Sequence, residues 1–140
     1  MTVPEGFELD DDRGRVDRDA VWAFLSTGAY WGRWRERAHV EAQLDGAWRV
    51  VGVYETRTGD LVGFARAISD GVSLAYLADV FIAERVRGMG LGKALVTAMI
   101  DDGPGASFRW LLHTADAHGL YLQHGFGPPD ETYLERRARR

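Results

Sequence analysis

The sequence predicts an α/β (α+β) fold in which a mixed central β-sheet carries helices on both faces. Three observations lead there. Two segments with helical apolar spacing occupy the first 44 residues. From Trp48 to Ile82 the pattern switches to β-branched and aromatic runs broken by turn signals. A glycine-rich turn, a helix and a further apolar strand then follow. Antiparallel strands succeeded by a strand-helix-strand unit build a mixed sheet, and the crossover helix must cover one of its faces.

Glu5 to Asp12 is acidic, with Phe7 and Leu9 alternating, and reads as either a short edge strand or a frayed end. Asp17 is a good N-cap for a helix through Ala20, Val21, Phe24 and Leu25 that Gly28 ends. Tyr30-Trp31-Gly32-Arg33-Trp34 is an aromatic loop. Arg35 to Leu44 reads as a second helix, with Ala38, Val40, Ala42 and Leu44 partly inward. Trp48 to Glu55 and Leu61 to Ile68, joined by Thr58-Gly59-Asp60, form a hairpin. Ser69-Asp70-Gly71 turns the chain into Leu74 to Ile82, the most apolar strand, with Asp70 as a turn residue. The helix after the glycine turn runs to about Asp101 and closes at Gly103-Pro104-Gly105. Phe108 to His113 reads as a buried strand. Asp116 is the expected cap of a short helix, Ala117 to His124, stopped by Gly125. After the break at Gly127-Pro128-Pro129, Thr132 to Arg136 is the expected last strand before a basic tail.

The 140 residues fit one domain, residues 1–140, and a mass of 15.6 kDa allows an independent core. A net charge of -4 argues against nucleic acid or an acidic membrane as partner. The absence of cysteine removes disulfides, thiol nucleophiles and thiolate metal sites. The four histidines show no metal-ligand spacing, so no metal is expected. With neither a signal pattern at Met1 to Glu5 nor an apolar run of membrane length, the expected location is cytoplasmic.

The stretch that points to chemistry is Arg87-Gly88-Met89-Gly90-Leu91-Gly92-Lys93, between a strand and a helix; Lys93 is the only lysine. Backbone N–H groups at such a turn converge on an anion, and the helix N-terminus adds partial positive charge. A Walker-type loop is excluded, because Arg87 stands where its first glycine belongs and Ala94 where Ser or Thr belongs. The dinucleotide fingerprint also fails, because its third glycine would fall on Lys93 or Leu95.

The remaining pattern, Arg87-x-x-Gly90-x-Gly92, resembles the pyrophosphate loop of the GNAT acetyltransferases. Tyr76 to Ile82 resembles the family's fourth strand, and Ala117 to Phe126, with Tyr121 and Gly125-Phe126, is similar to its C-terminal motif. The resemblance implies acetyl-CoA as co-substrate, held by the amides of Arg87, Gly88, Met89, Gly90, Leu91, Gly92 and Lys93. Its arm would pair with the strand ending at Phe81 and Ile82. Tyr121 stands where relatives carry a proton donor to the leaving thiolate; a tyrosine packed in the core is the alternative. Thr114 stands where many relatives have an asparagine that bonds the arm.

Asp79 lies in a strongly apolar strand and needs a reason to be charged. It could take a proton from the attacking ammonium, pair with that ammonium, or form an ion pair with an arginine such as Arg66. The segment Tyr76 to Asp79 resembles that of diamine acetyltransferases, except that Ala78 replaces the first of two acidic residues. The resemblance also places the acceptor between the first helices and the sheet, beside Tyr30, Trp31 and Trp34. Aromatic rings next to an acidic Asp79 would suit a cation; core or lid packing is the other reading. The expected function is therefore N-acetyl transfer to a primary amine, a small molecule first. A sensor that binds acyl-CoA without turnover, or acetylation of a protein N-terminus or lysine, are the alternatives. A homodimer is compatible with this reading.

Overall fold

The computed structural model describes residues 3–29 and 34–139. Five strands form one sheet in the order β1-β2-β3-β4-β5. They are β1 (Phe7–Asp10), β2 (Arg49–Glu55), β3 (Leu61–Ser69), β4 (Leu74–Ile82) and β5 (Arg109–Leu111). The first four are antiparallel and β5 joins β4 in parallel, so the sheet is mixed as expected. Phe7 to Asp10 is an edge strand, with Phe7 opposite Glu55 and Asp10 opposite Gly52.

Helices cover both faces because neighbouring strand residues point in opposite directions. Val51, Val53, Ala65, Ala67 and Leu77 pack under α3 (Leu91–Val96) and the π turn Thr97–Asp101 that prolongs it. Val50, Phe64 and Phe81 pack on the other face under α1 (Arg18–Thr27) and α2 (Arg37–Gly46). The near-continuous burial of Leu91, Ala94, Leu95, Val96, Met99 and Ile100 makes α3 and its extension the spine of the first core.

The Asp17 side chain accepts from the Ala20 N–H at 3.1 Å, and the Gly28 N–H closes α1 on Phe24 O at 2.6 Å. α2 begins two residues later than the sequence predicts, where the Glu36 N–H donates to His39 Nδ1 at 2.9 Å. Only Val40 and Leu44 of its four expected inward residues are buried; Ala38 and Ala42 are exposed. A spacing of four keeps one helical stripe inward, whereas steps of two do not.

Three other expectations change. β5 is only three residues long and half-buried, because it parts from β4 after Leu111. The short C-terminal helix α4 (His118–Leu122) has Ala117, not Asp116, at its N-cap and no side-chain cap; the Thr114 hydroxyl accepts from the Ala117 N–H at 3.1 Å in the turn before it, and Asp116 is exposed. Thr132 to Arg136 forms no strand. Leu134 is 92% exposed, so that segment has no apolar face to bury against a sheet.

Asp70 pins the β3-β4 turn. Its Oδ1 accepts from the N–H groups of Val72 (2.8 Å), Ser73 (2.9 Å) and Leu74 (3.3 Å). These bonds, led by those of Ser73 and Val72, lower its pKa to about 2. A depressed carboxylate stabilises the fold fully above its ordinary pKa and loses that contribution as pH falls through the folded value. Asp70→Ala is therefore expected to lower the urea midpoint at neutral pH. The gap from the parent protein should narrow as pH drops from about 4 towards 2; a gap independent of pH would contradict this.

Candidate active site

The chain leaves β4 through a 3-10 turn, Glu84–Val86, that anchors on buried Val86. Gly88 and Gly90 then adopt φ of 80° and 83°, a left-handed conformation that favours glycine. A Cβ at either position would meet nothing within 4 Å, so conformation and not crowding demands glycine, and the main chain is left approachable. Gly90 is the N-cap of α3, and the N–H groups of the first turn have no intrahelical partner. Gly88, Gly90, Leu91 and Gly92 line a cleft of about 980 Å³.

The cleft exists because the sheet splays. β5 pairs with β4 only over Leu74 to Tyr76. From Leu77 to Ile82 the outer edge of β4 has no strand partner among the described residues, and this stretch lines the cleft. Leu112, His113, Thr114, Ala117, Leu120 and Tyr121 form the facing wall. An open strand edge beside a glycine-rich turn accepts an extended chain with an anionic end.

The sequence-predicted residues fall into distinct places around this cleft. Phe81 lines the cleft with its ring buried and stacked on Phe24 at 4.0 Å. The Ile82 carbonyl accepts from Arg87 Nε at 3.0 Å, which ties the loop to the end of the strand. Met89 and Lys93 are exposed and their side chains lie outside the cleft. Thr114 lines the cleft while its hydroxyl accepts from the Ala117 N–H. Trp34 lines the cleft half-exposed, its ring 5.2 Å from that of His39. Tyr30 and Trp31 lie outside the described residues.

Asp79 sits on a β-bulge. Phe64 opposes Phe81 and Arg66 opposes Ala78, so β4 carries one more residue than β3 between these pairs. Asp79 takes φ 54°, a conformation in which aspartate is less strained than most residues. Its side chain is buried against two arginines. Arg35 donates to it with both terminal nitrogens at 2.8 Å, and Arg66 Nε donates to Oδ2 at 2.7 Å. Arg35 also donates to Gln43 Oε1 at 2.7 Å. Burial alone would raise the Asp79 pKa, but the Arg35 hydrogen bond and both guanidinium charges outweigh it and hold the carboxyl below its usual range. The ion pair with Arg66 is thus present, and Arg35, 44 residues away in sequence, makes the second.

Tyr121 is buried on the facing wall, edge-on to Phe126 at 5.7 Å between ring centres. Nearby, Tyr76 Oη and His113 Nδ1 are 2.6 Å apart, and His113 Nε2 lies 2.6 Å from Glu135 Oε2. This hydroxyl-imidazole-carboxylate chain joins β4, the segment after β5 and the C-terminal tail at the cleft. No local signal announced it, because its members are separated by 37 and 22 positions. Glu135, Arg136 and Arg137 line the cleft, so the basic tail runs along it. Among the described residues no group of three His, Cys, Asp or Glu could hold a metal ion. No described helix is long and apolar enough to cross a membrane.

Residues 12–126 match the Acetyltransferase (GNAT) family. The chain belongs to this family. The likeness is close to full length for one GNAT structure, described as a "putative acetyltransferase belonging to the GNAT family" from Xanthomonas campestris pv. campestris. That protein is 32% identical, with a TM-score of 0.88 over 97% of this chain and 96% of its own. A "Putative acetyltransferase FG08082" of Gibberella zeae is 32% identical over 80 residues, which is 57% of this chain; the match spans 43% of that relative's length. N-acetylglutamate synthase from Neisseria gonorrhoeae, solved with coenzyme A and N-acetyl-glutamate, shares the fold at 16% identity. The TM-score is 0.70 over 91% of this chain and 30% of its own. The GNAT fold expected from the two motifs is therefore the fold observed.

The Asp79 cluster carries a stability prediction. Asp79→Asn leaves two buried guanidiniums without their counter-charge and should cost about 3–5 kcal/mol. Urea denaturation of the variant checks this; a loss below about 1 kcal/mol, the range of an exposed pair, would mean that water reaches the cluster.

Proposed function

We propose that this GNAT protein transfers the acetyl group of acetyl-CoA to a primary amine of a small molecule, both substrates being bound together. The observation that carries the reading is the convergence on one cleft of the left-handed glycine loop, the open edge of β4 and Tyr121. The amides of Arg87 to Gly92 would hold the pyrophosphate, and the outer edge of β4 over Leu77 to Ile82, which has no strand partner among the described residues, the extended arm. The thioester carbonyl then lies beside β4, whose backbone donors are fixed in advance of the reaction. Gly88 and Gly90 fit this ligand because a Cβ there would stand in the open space that the phosphates need.

The chemistry asks two things of the side chains. The departing thiolate needs a proton, and Tyr121 Oη is the donor on the facing wall. The attacking ammonium must lose one. Asp79, held below the usual carboxylate range by two arginines, is a weak base, and we assign it to positioning Arg35 and Arg66. The Tyr76-His113-Glu135 chain is better built for the task. Tyr76 Oη accepts the ammonium proton while passing its own to His113 Nδ1. Glu135 then steadies the imidazolium.

The test is thiol release from acetyl-CoA with a panel of small primary amines. Turnover on at least one is expected; binding of acetyl-CoA with no turnover on any amine or peptide would favour a sensor. Tyr121→Phe should lower kcat by about a hundredfold or more, with acetyl-CoA affinity by calorimetry unchanged. His113→Gln should lower kcat by about a hundredfold without affecting that affinity; unaltered turnover would remove His113 from the proton path.

A further inference from the structure

We infer that the acceptor amine carries an anionic group, a carboxylate or a phosphate, and that the terminal fork of Arg66 receives it. This rests on the acetyltransferase reading above and names the substrate class of the same cleft.

The Arg35-Asp79-Arg66 cluster is buried, with side-chain exposures of 3%, 3% and 9%. Among the described residues one carboxylate, Asp79, serves both guanidiniums, at a place where charge is costly to bury. Arg66 spends only Nε on Asp79. Its two terminal nitrogens have no hydrogen-bond partner among the described residues. Arg66 lines the cleft, so the small exposed part of a side chain about nine-tenths buried opens there. A guanidinium with its terminal edge vacant and its third nitrogen anchored is pre-oriented for two parallel hydrogen bonds to an oxyanion.

The co-substrate's own phosphates are not the partner. Asp79 stands three residues before Ile82, roughly 10 Å along the strand from the start of the glycine loop. The thioester would lie between the two sites, which puts the Arg66 fork on the acceptor side. The other charges facing the cleft agree. Arg35, Arg66, Arg87, Arg136 and Arg137 line it against Asp79, Asp116 and Glu135. Glu135 is engaged by His113. A diamine would meet like charge at its second ammonium, so the cation expected beside an acidic Asp79 is disfavoured. An aminocarboxylate or aminoalkyl phosphate presents the opposite charge.

Two readouts test this. In the first, wild type and Arg66→Lys are assayed for thiol release with ω-aminocarboxylates, aminoalkyl phosphates, the matching neutral amides and alcohols, and 1,4-diaminobutane. Anionic amines should exceed their neutral partners in kcat/KM by roughly ten- to a hundredfold, the worth of a charge-assisted bond. Arg66→Lys, which keeps the charge but loses the fork, should raise KM for them alone. The arm with the larger loss separates carboxylate from phosphate. In the second readout, N-acetylated aminocarboxylates and N-acetylated aminoalkyl phosphates, each beside its neutral amide or alcohol, are titrated by calorimetry into the CoA-loaded protein, which needs no turnover. Tighter binding of the anionic products, lost in Arg66→Lys, supports the proposal even if no amine reacts, an outcome that would count against the acetyltransferase reading alone. Preference for neutral or dicationic amines, or products bound without regard to charge, would overturn it.

Discussion

One carboxylate holds the working part of this fold together. Asp79 stands at a β-bulge with a left-handed backbone, and its bonds to Arg66 and Arg35 tie β4 to β3 and to the segment that enters α2. A bulge adds a residue to one strand and bends it. Here the extra residue falls just past the point where β5 stops pairing with β4. Removing the carboxylate would leave two buried guanidiniums without their counter-charge.

The splay turns that joint into a binding surface. A fully paired β4 would have no free main chain to offer, and a fully open one would have no wall opposite. Three residues of parallel pairing hold β5 at one end, while Leu112 to Tyr121 swing out to form the second wall. The two cores keep the walls apart. Leu91, Leu95 and Met99 pack against one face of the sheet, and Phe24 stacks on Phe81 against the other. The glycine loop is thereby fixed beside the cleft that it lines.

On the proposed function, the electrostatics divide the cleft between two substrates. The loop uses backbone donors, suited to phosphates held by many weak contacts. The bulge uses guanidiniums, which are planar and directional. The sequence alone made Asp79 look like an acidic floor for a cation. The structure reverses the sign of that floor, because Arg35 arrives from a distant segment and Arg66 from the neighbouring strand.

Much of this was legible in order along the chain. The strand runs, the Asp17 cap, the Asp70 turn and the glycine loop are local, and local chemistry dictates them: a side-chain acceptor, a positive φ, an apolar alternation. Family membership was legible for the same reason, since both motifs are short and contiguous. Tertiary structure decided what depends on long-range partners. It paired Arg35 with Asp79, linked Tyr76 to His113 and Glu135, and left Thr132 to Arg136 without a sheet to join. Each of these hangs on which side chains a folded core brings within hydrogen-bond reach, and residues 22 to 44 positions apart in sequence carry no local sign that they will meet.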